Sequence, residues 1–498
     1  MKYILGIDIG TGSTKAVAVD LKYNAFDSSQ CFYQTQSPHQ GYSEQHPELI
    51  WQAFRESISS TVEKLGSAPI TISLSSAMHS LIAVDNNGEA LIPMMTWADQ
   101  RSAAIAERLL SDDTGLELYK ETGTPIHPMS PLCKIIWIRE NQPEIFEKAA
   151  KFISIKEYIW HRLFKHFEAD HSIASCTGLM DVQQMKWSKK ALACAGIGEE
   201  RLSVLCGTSY SRKDFDPEVL PFLEAGTPFV IGASDGCLAN LGSGAFRPGL
   251  AALTIGTSGA LRVASDKAVL SIKGMTFSYH LDESIFINGG AVNNGGVALK
   301  WHLKNLLGKE TLSAEDYDTA LRAAESVKAG ADGLIFLPYL QGERAPIWDS
   351  KSCGNFFGIN LNHHQQHFTR AVVEGICFAL NDVLLSLTES GQPVAELKVS
   401  GGFVSSPVWL QIMANITGKK LIKVNTEDAS ATGAAYLAVK AIGLEEDYPS
   451  PHHEEMVFVE PDGQEHEIYK KYFKIYKKLY QNLKGTMHEL HDLQNEVI

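Results

Sequence analysis

Two short glycine-bearing turns are notable for what their atoms could hold. The first, Gly10-Thr11-Gly12-Ser13, follows the apolar stretch Tyr3–Ile9 and leads into Thr14 and Lys15. Glycines let a backbone approach phosphate oxygens closely, successive N–H groups can donate to them, and the hydroxyls of Thr11, Ser13 and Thr14 with the Lys15 cation answer their charge. The second, Gly256-Thr257-Ser258-Gly259, follows Ala251–Ile255 and repeats the Ile-Gly-Thr of the first. Any β-hairpin needs a tight turn, and glycine with threonine is a common way to make one; the recurrence tips the balance toward phosphate binding. Neither turn is a Walker loop or a dinucleotide fingerprint, because no Gly-Lys-Ser/Thr follows and the turn opens a strand rather than a helix.

Two carboxylates complete a possible chemistry. Asp8 lies near the end of the first apolar strand, where a buried carboxylate is costly unless paired, and a hydrated magnesium ion is a fitting partner. Asp235 follows the apolar stretch Val230–Ser234. Its plain alternative is a helix cap, and that of Asp8 is a brace for the turn. Phosphoryl transfer to an alcohol needs donor and acceptor held together, charge neutralised, and a carboxylate to take the hydroxyl proton. Asp235 suits that last role and, with Asp8, is a candidate metal ligand.

The elements that must position these groups alternate between helix and strand. Beyond the two hairpins, the pattern predicts a helix over 47–65, a strand over 70–74, a helix over 131–140, a strand over 333–339, a helix over 365–387 and a strand-turn over 397–402, which is an α/β class. At 498 residues the chain exceeds what one core organises, and the second turn falls near the midpoint, so two lobes are expected, 1–245 and 246–498. From His466 to Leu483, Tyr469, Tyr472, Phe473, Tyr476, Leu479, Tyr480 and Leu483 recur at helical spacing, predicting a closing helix docked on the second lobe. Hydrophobic residues at 44% and charged residues at 20% are those of an ordinary globular chain. A net charge of −14 repels phosphate backbones and anionic membranes, so neither nucleic acid nor membrane is an expected partner. No stretch reads as membrane-spanning, and Asp8 with the early glycines breaks any signal-peptide core. Eight scattered cysteines without a CxxC pair indicate reduced thiols in a cytoplasmic protein.

With these residues assembled, the chain resembles the FGGY carbohydrate kinases, a branch of the actin, Hsp70 and sugar-kinase fold, from residue 2 to about residue 485. The first family signature is matched by Met129-Ser130-Pro131-Leu132-Cys133-Lys134-Ile135-Ile136-Trp137-Ile138-Arg139-Glu140-Asn141. The second is matched by Gly354-Asn355-Phe356-Phe357-Gly358-Ile359, continuing through His367-Phe368-Thr369-Arg370-Ala371-Val372-Val373-Glu374. The adenosine segment resembles Ser400-Gly401-Gly402-Phe403 with Trp409 to Asn415, where many relatives end on an aspartate. The resemblance implies a two-lobed, ribonuclease H-like α/β fold with mixed sheets flanked by helices and an interdomain cleft holding ATP. It implies Asp235 as catalytic base, Asp8 as a holder of Mg2+, and ATP contacts from Gly10, Thr11, Gly12, Ser13, Thr14, Lys15, Gly256, Thr257, Ser258, Gly401, Gly402 and Asn415.

The acceptor side is read from three segments. Ser76-Ala77-Met78-His79-Ser80 and Phe286 to Gly296 resemble the gluconate branch of the family, and Thr96-Trp97-Ala98-Asp99-Gln100-Arg101 resembles the strand-end motif that presents polar groups to the sugar. A polyol needs paired donors and acceptors, which His79, Trp97, Asp99, Gln100, Asn293 and Asp235 would supply, and a carboxylate would draw on Arg101 or Lys134. Against these roles stand plainer ones: His79 bracing a loop, Trp97 packing, Lys134 pairing within its lobe, and Gly342–Asp349 as a packing loop. The expected reaction is phosphorylation of D-gluconate by ATP. The alternatives are xylulose or another pentulose or polyol, and a non-enzymatic sugar- or nucleotide-responsive ATPase switch; a homodimer is the oligomer to test.

Overall fold

In the computed structural model, residues 2–424, 428–449 and 457–496 are described. They form two compact units, Met1–Arg247 with Ala264–Asn288 and Thr426–His452, and Pro248–Val263 with Gly289–Asn425 and His453–Ile498. A single cut at 245/246 leaves out the two later stretches that fold with the first unit.

The first unit is organised by a sheet in the order Ser211–Arg212, Phe229–Ser234, Thr71–Ser76, Tyr3–Ile9, Ser13–Asp20, Ala25–Phe32. Tyr3–Ile9 and Ser13–Asp20 form an antiparallel hairpin, whereas Thr71–Ser76 runs parallel to Tyr3–Ile9, and Phe229–Ser234 parallel to Thr71–Ser76. Thr71–Ser76 and Phe229–Ser234 are buried throughout, while the edge strand Ala25–Phe32 is largely solvated and polar, as a central-to-edge gradient requires. The parallel pairing needs a crossover, and helix Pro47–Leu65 provides it. Proline opens that helix, Gly66 closes it at φ 63°, and Ile50, Trp51, Phe54 and Ile58 are among the residues it buries.

Helix Ala429–Ala441 belongs to this unit because glycines let backbones touch. A Cβ at Gly6 would lie 1.8 Å from the Ala431 carbonyl oxygen, and one at Gly433 would lie 2.0 Å from that of Leu238 on helix Asp235–Gly242. No larger residue fits either position, and this packing carries a stretch distant in sequence back to the first strand.

In the second unit, successive strands run Gly259–Ser265, Leu250–Ile255, Glu396–Ser400, Lys420–Lys423, Val457–Val459. Helix Gln365–Glu389 passes through the core. By length and composition it could cross a membrane, contrary to the expectation of no such stretch, yet 89% of its apolar window is buried inside the unit. It is a core helix. The closing helix, Gly463–Glu496, is longer than the predicted 466–483 and buries Tyr469, Phe473, Tyr476 and Leu479 in the same core. Tyr469 also joins a buried network, its hydroxyl 2.6 Å from Arg370 and 2.7 Å from Glu374.

Candidate active site

The first turn sits where strand register brings charge together. Asp8 lies opposite Lys15 across the hairpin and beside Ser75 on the parallel neighbour. The Ser75 hydroxyl donates to Asp8 Oδ1 at 2.7 Å. Burial pushes the Asp8 carboxyl up to about 7, and the neighbouring Asp235 and Asp428 add to the rise against the pull of Ser75 and Lys15. Lys15 Nζ is 2.5 Å from Asp428 Oδ1. Asp235 opens helix Asp235–Gly242 directly after its strand, with its own Oδ1 accepting from the Gly236 N–H at 2.7 Å. Just before it the pairing with Thr71–Ser76 shifts register between Val230 and Ala233, at Gly232 with φ 73°. A bulge of this kind re-aims the side chains beyond it.

Asp8, Asp235, Lys15 and Ser75 therefore converge, together with Asp428, which sequence reasoning missed. Its signal was an acidic pair, Glu427-Asp428, directly ahead of the small-residue run Ala429-Ser430-Ala431-Thr432-Gly433-Ala434-Ala435.

The turn is held by side chains from several elements. Gly10 N–H donates to Ser13 O at 3.0 Å, the Tyr33 hydroxyl to Gly10 O at 2.6 Å, the Trp97 indole to Thr11 Oγ1 at 3.0 Å and Gln30 to Ser13 Oγ at 2.8 Å. Gln45 donates to the Thr11 carbonyl. A Cβ at Gly12 would meet nothing within 4 Å, so the tip is open. Thr14 departs from its expected role: it is wholly buried, its hydroxyl 3.4 Å from that of Tyr33, because it falls on the inward face of its strand. Trp97 supports the turn through Thr11.

On the acceptor side, His79 adopts φ 66°, a left-handed conformation that is uncommon for a side-chain-bearing residue. Its Nδ1 is 2.8 Å from the Cys176 carbonyl. A carbonyl only accepts, so Nδ1 carries a proton. Lys134 is fully buried, donating to His79 O at 2.6 Å and Thr96 O at 2.7 Å, and burial lowers its ammonium to about 7. Lys134 thus ties two loops together rather than awaiting a carboxylate.

Asp99 is also fully buried, accepting from Arg101 at 2.7 to 3.0 Å and from the Ser43 N–H at 2.9 Å. Arg101 reaches Glu44 at 2.6 Å and lies 3.6 Å over the Tyr42 ring. The expected substrate contact by Asp99 and carboxylate contact by Arg101 give way to a mutual brace, since each already satisfies the other. Gln100 is partly exposed, its N–H on Gly41 O at 2.7 Å and its Nε2 at a long 3.4 Å from Ala98 O.

In the second unit, Gly256 N–H donates to Ser258 O at 2.9 Å. The carbonyls of this turn are bound from behind: Gly296 N–H reaches Gly256 O at 2.7 Å, and Gly295 and Val297 each reach Thr257 O at 3.1 Å. Gly401, at φ 98°, lets the chain pass where a Cβ would be 2.3 Å from Ile255 O, and both Gly401 and Gly402 are exposed.

Asn293 braces the Gly342–Asp349 loop instead of offering itself to a sugar. Its Oδ1 accepts from Arg344 at 2.7 Å, its Nδ2 donates to Gln341 O at 3.2 Å, and its N–H meets Glu343, whose carboxyl burial pushes up to about 7. Asn415 is likewise committed elsewhere. Buried, it donates to Glu465 at 2.6 Å and accepts from Gln411 and from the Asp462 N–H at 2.8 Å each, tying down the start of the closing helix rather than facing a nucleotide.

A strand, glycine turn and strand, built into each of two units with mixed sheets and flanking helices, define the two-domain actin-like kinase fold. The N-terminal domain of the FGGY family of carbohydrate kinases matches residues 3–242, and its C-terminal domain residues 251–442. The chain belongs to the FGGY family and is an ATP-dependent carbohydrate kinase. It is 43% identical over 450 residues to a gluconokinase of Bacillus licheniformis, covering 89% of this chain and 88% of that one. Crystal structures of a gluconate kinase and of a ligand-bound xylulose kinase, both from Lactobacillus acidophilus, each superpose with a TM-score of 0.92 at 32% identity. Each covers 98% of this chain, with 99% and 100% of the respective neighbour matched.

Proposed function

We propose that the chain transfers the γ-phosphoryl group of ATP to the 6-hydroxyl of D-gluconate, giving 6-phosphogluconate and ADP. The observation that carries the chemistry is the convergence of Asp8, Asp235 and Lys15 at the end of one sheet. Asp235 takes the proton of the acceptor hydroxyl as its oxygen attacks phosphorus and the bond to the β-phosphate oxygen breaks. Lys15 and the open turn at Gly10 to Ser13 bind phosphate oxygens, and the turn at Gly256 to Ser258, with Gly401 and Gly402, serves the nucleotide. His79 and Gln100 contact the sugar hydroxyls.

Among the described residues no group of three or more His, Cys, Asp or Glu side chains is arranged to hold a metal directly. That fits Mg2+, which keeps most of its waters and binds through one or two carboxylates and the substrate's phosphates. Beyond the effect of burial, Asp235 and Asp428 lie close enough to Asp8 to raise its proton affinity, a concentration of negative charge that such a cation neutralises, so Asp8 and Asp235 are its holders. Bound there, Mg2+ supplies charge neutralisation to the phosphates. The net charge of −14 and the buried position of the one helix of membrane-spanning length among the described residues support a cytoplasmic place of work.

The 43% identity to a gluconokinase supports gluconate as acceptor. Xylulose is the second reading, favoured by the equal TM-score of the xylulose kinase and by the engagement of Arg101 and Lys134 with protein partners. The deciding experiment measures ADP release from ATP and Mg2+ with gluconate, xylulose, glycerol and other polyols. A kcat/KM for gluconate at least about tenfold above the rest is expected; a higher value for xylulose overturns the substrate assignment.

A further inference from the structure

The most completely buried ion pair near the catalytic strand is not explained by stability. Lys156 and Asp170 are each 1% exposed, with Nζ 2.7 Å from Asp170 Oδ2. Desolvation makes such a pair a poor stabiliser, often no better than two apolar side chains of similar size. Burial lowers the proton affinity of Lys156, which Asp170 opposes. What the pair does have is two backbone attachments. Lys156 Nζ donates to the Ala233 carbonyl at 3.0 Å, two residues before Asp235. Asp170 Oδ1 caps the short helix His171–Ser175 by accepting from the Ile173 N–H at 2.9 Å.

That helix turns the anchor into a double fastening. Ser172 Oγ accepts from the Ser234 N–H at 3.1 Å and lies 3.0 Å from the Ser234 hydroxyl, so the residue immediately ahead of Asp235 is gripped at its amide and its side chain. The helix runs into Cys176, whose carbonyl takes the Nδ1 proton of His79 at 2.8 Å. One segment, Asp170 to Cys176, thereby fixes both the strand end that presents Asp235 and the direction of the His79 ring. The strand end is irregular: pairing with Thr71–Ser76 shifts register between Val230 and Ala233, resumes at Ala233 and Ser234, and stops there, so Asp235 lies just beyond the last paired residue.

We infer that Lys156, Asp170 and Ser172 are positioning residues for phosphoryl transfer, setting the aim of the general base and of the acceptor-binding histidine together. The inference rests on Asp235 being the base. A displacement of about 1 Å at a reacting group costs on the order of 100-fold in rate, and that is the effect to look for.

Two variants test it in the full-length enzyme. Lys156→Met combined with Asp170→Leu removes both charges at once and leaves no buried charge unpaired; Ser172→Ala removes only the grip on Ser234. Both are measured for kcat, for KM of ATP and of the best sugar, and for thermal unfolding. The expected result is a kcat lower by about 100-fold in the double variant and about tenfold in Ser172→Ala. The KM for ATP stays within about twofold in each, with melting temperatures close to that of the parent. A merely structural role predicts the reverse, a lowered melting temperature with normal kcat per folded molecule, and that result overturns the inference. Asp235→Asn, assayed alongside, separates the two readings. If it keeps normal turnover, the base assignment fails and the positioning inference with it. If it is inactive while both other variants turn over normally, the positioning inference alone fails.

Discussion

The two glycine turns share a scaffold and differ in chemistry. Each comes after a central strand with a parallel neighbour, and each closes with a glycine N–H donating to a serine carbonyl, Gly10 to Ser13 at 3.0 Å and Gly256 to Ser258 at 2.9 Å. Two residues before the glycine, the first has Asp8, bonded to Ser75 on the parallel strand. The second has Thr254, its hydroxyl 3.0 Å from that of Ser400 on the corresponding neighbour. One position thus carries a carboxylate in one unit and a hydroxyl in the other. Around the first lie Lys15, Asp235 and Asp428; the second is braced by the backbone amides of residues 295–297. The same backbone turn thus has charged neighbours in one copy and neutral ones in the other. On the proposed function, catalysis and nucleotide holding fall to separate copies of the same local structure.

The sharpest way to break this contrast is Asp235→Asn, expected to lower kcat by about 10²- to 10⁴-fold with little change in either KM. Turnover by ADP release checks it, and near-normal activity removes the chemistry from the first unit. Next is Asp8→Thr, which gives the first turn the side chain of the second. A fall of about 100-fold in kcat is expected, with a higher Mg2+ requirement seen in a magnesium titration. Gly256→Ala should be milder. A Cβ there meets no protein atom within 4 Å, so the fold is kept and only close approach of the nucleotide suffers, raising the KM for ATP about tenfold.

A stability measurement probes the same carboxylate. Asp8 titrates near 7 in the folded chain against an ordinary value of 3.8, so the unfolded state gives up its proton first and stability falls as pH rises from about 4 to about 7. Asp8→Asn should therefore raise the melting temperature by a few degrees at pH 8 and leave it unchanged at pH 3.5; no gain at pH 8 shows that the Asp8 charge does not cost the fold stability. Smallest in activity is Asn415→Asp. Placed against Glu465, the new carboxylate should lower the melting temperature, with the KM for ATP within about twofold of the parent.

Much of this was legible in the residues. The hairpin at Tyr3 to Val19, helix Pro47–Leu65, the core helix from Gln365 and the aromatic stripe of the closing helix come from local periodicity and turn chemistry, which act over neighbouring positions. So did Asp8, Lys15 and Asp235, because charge beside a glycine turn or at the end of an apolar strand is anomalous within its own few residues. Asp99, Arg101, Lys134, Asn293 and Asn415 were read as ligand contacts because they are polar in family-like motifs, and motif membership does not reveal whether a polar atom already has a partner.

By itself, then, the sequence determined the two turns, the longer helices and the position of Asp8 and Asp235 at the ends of apolar strands, since each depends on side-chain type and short spacing. Tertiary structure alone decided which polar groups are used up, that Asp428 joins Asp8 and Lys15 from over four hundred residues away, and that Lys156 reaches the strand end before Asp235. Hydrogen-bond satisfaction and charge proximity are properties of distance in space, and only the packing of Gly6 on Ala431 and of Gly433 on Leu238 converts distant positions into neighbours.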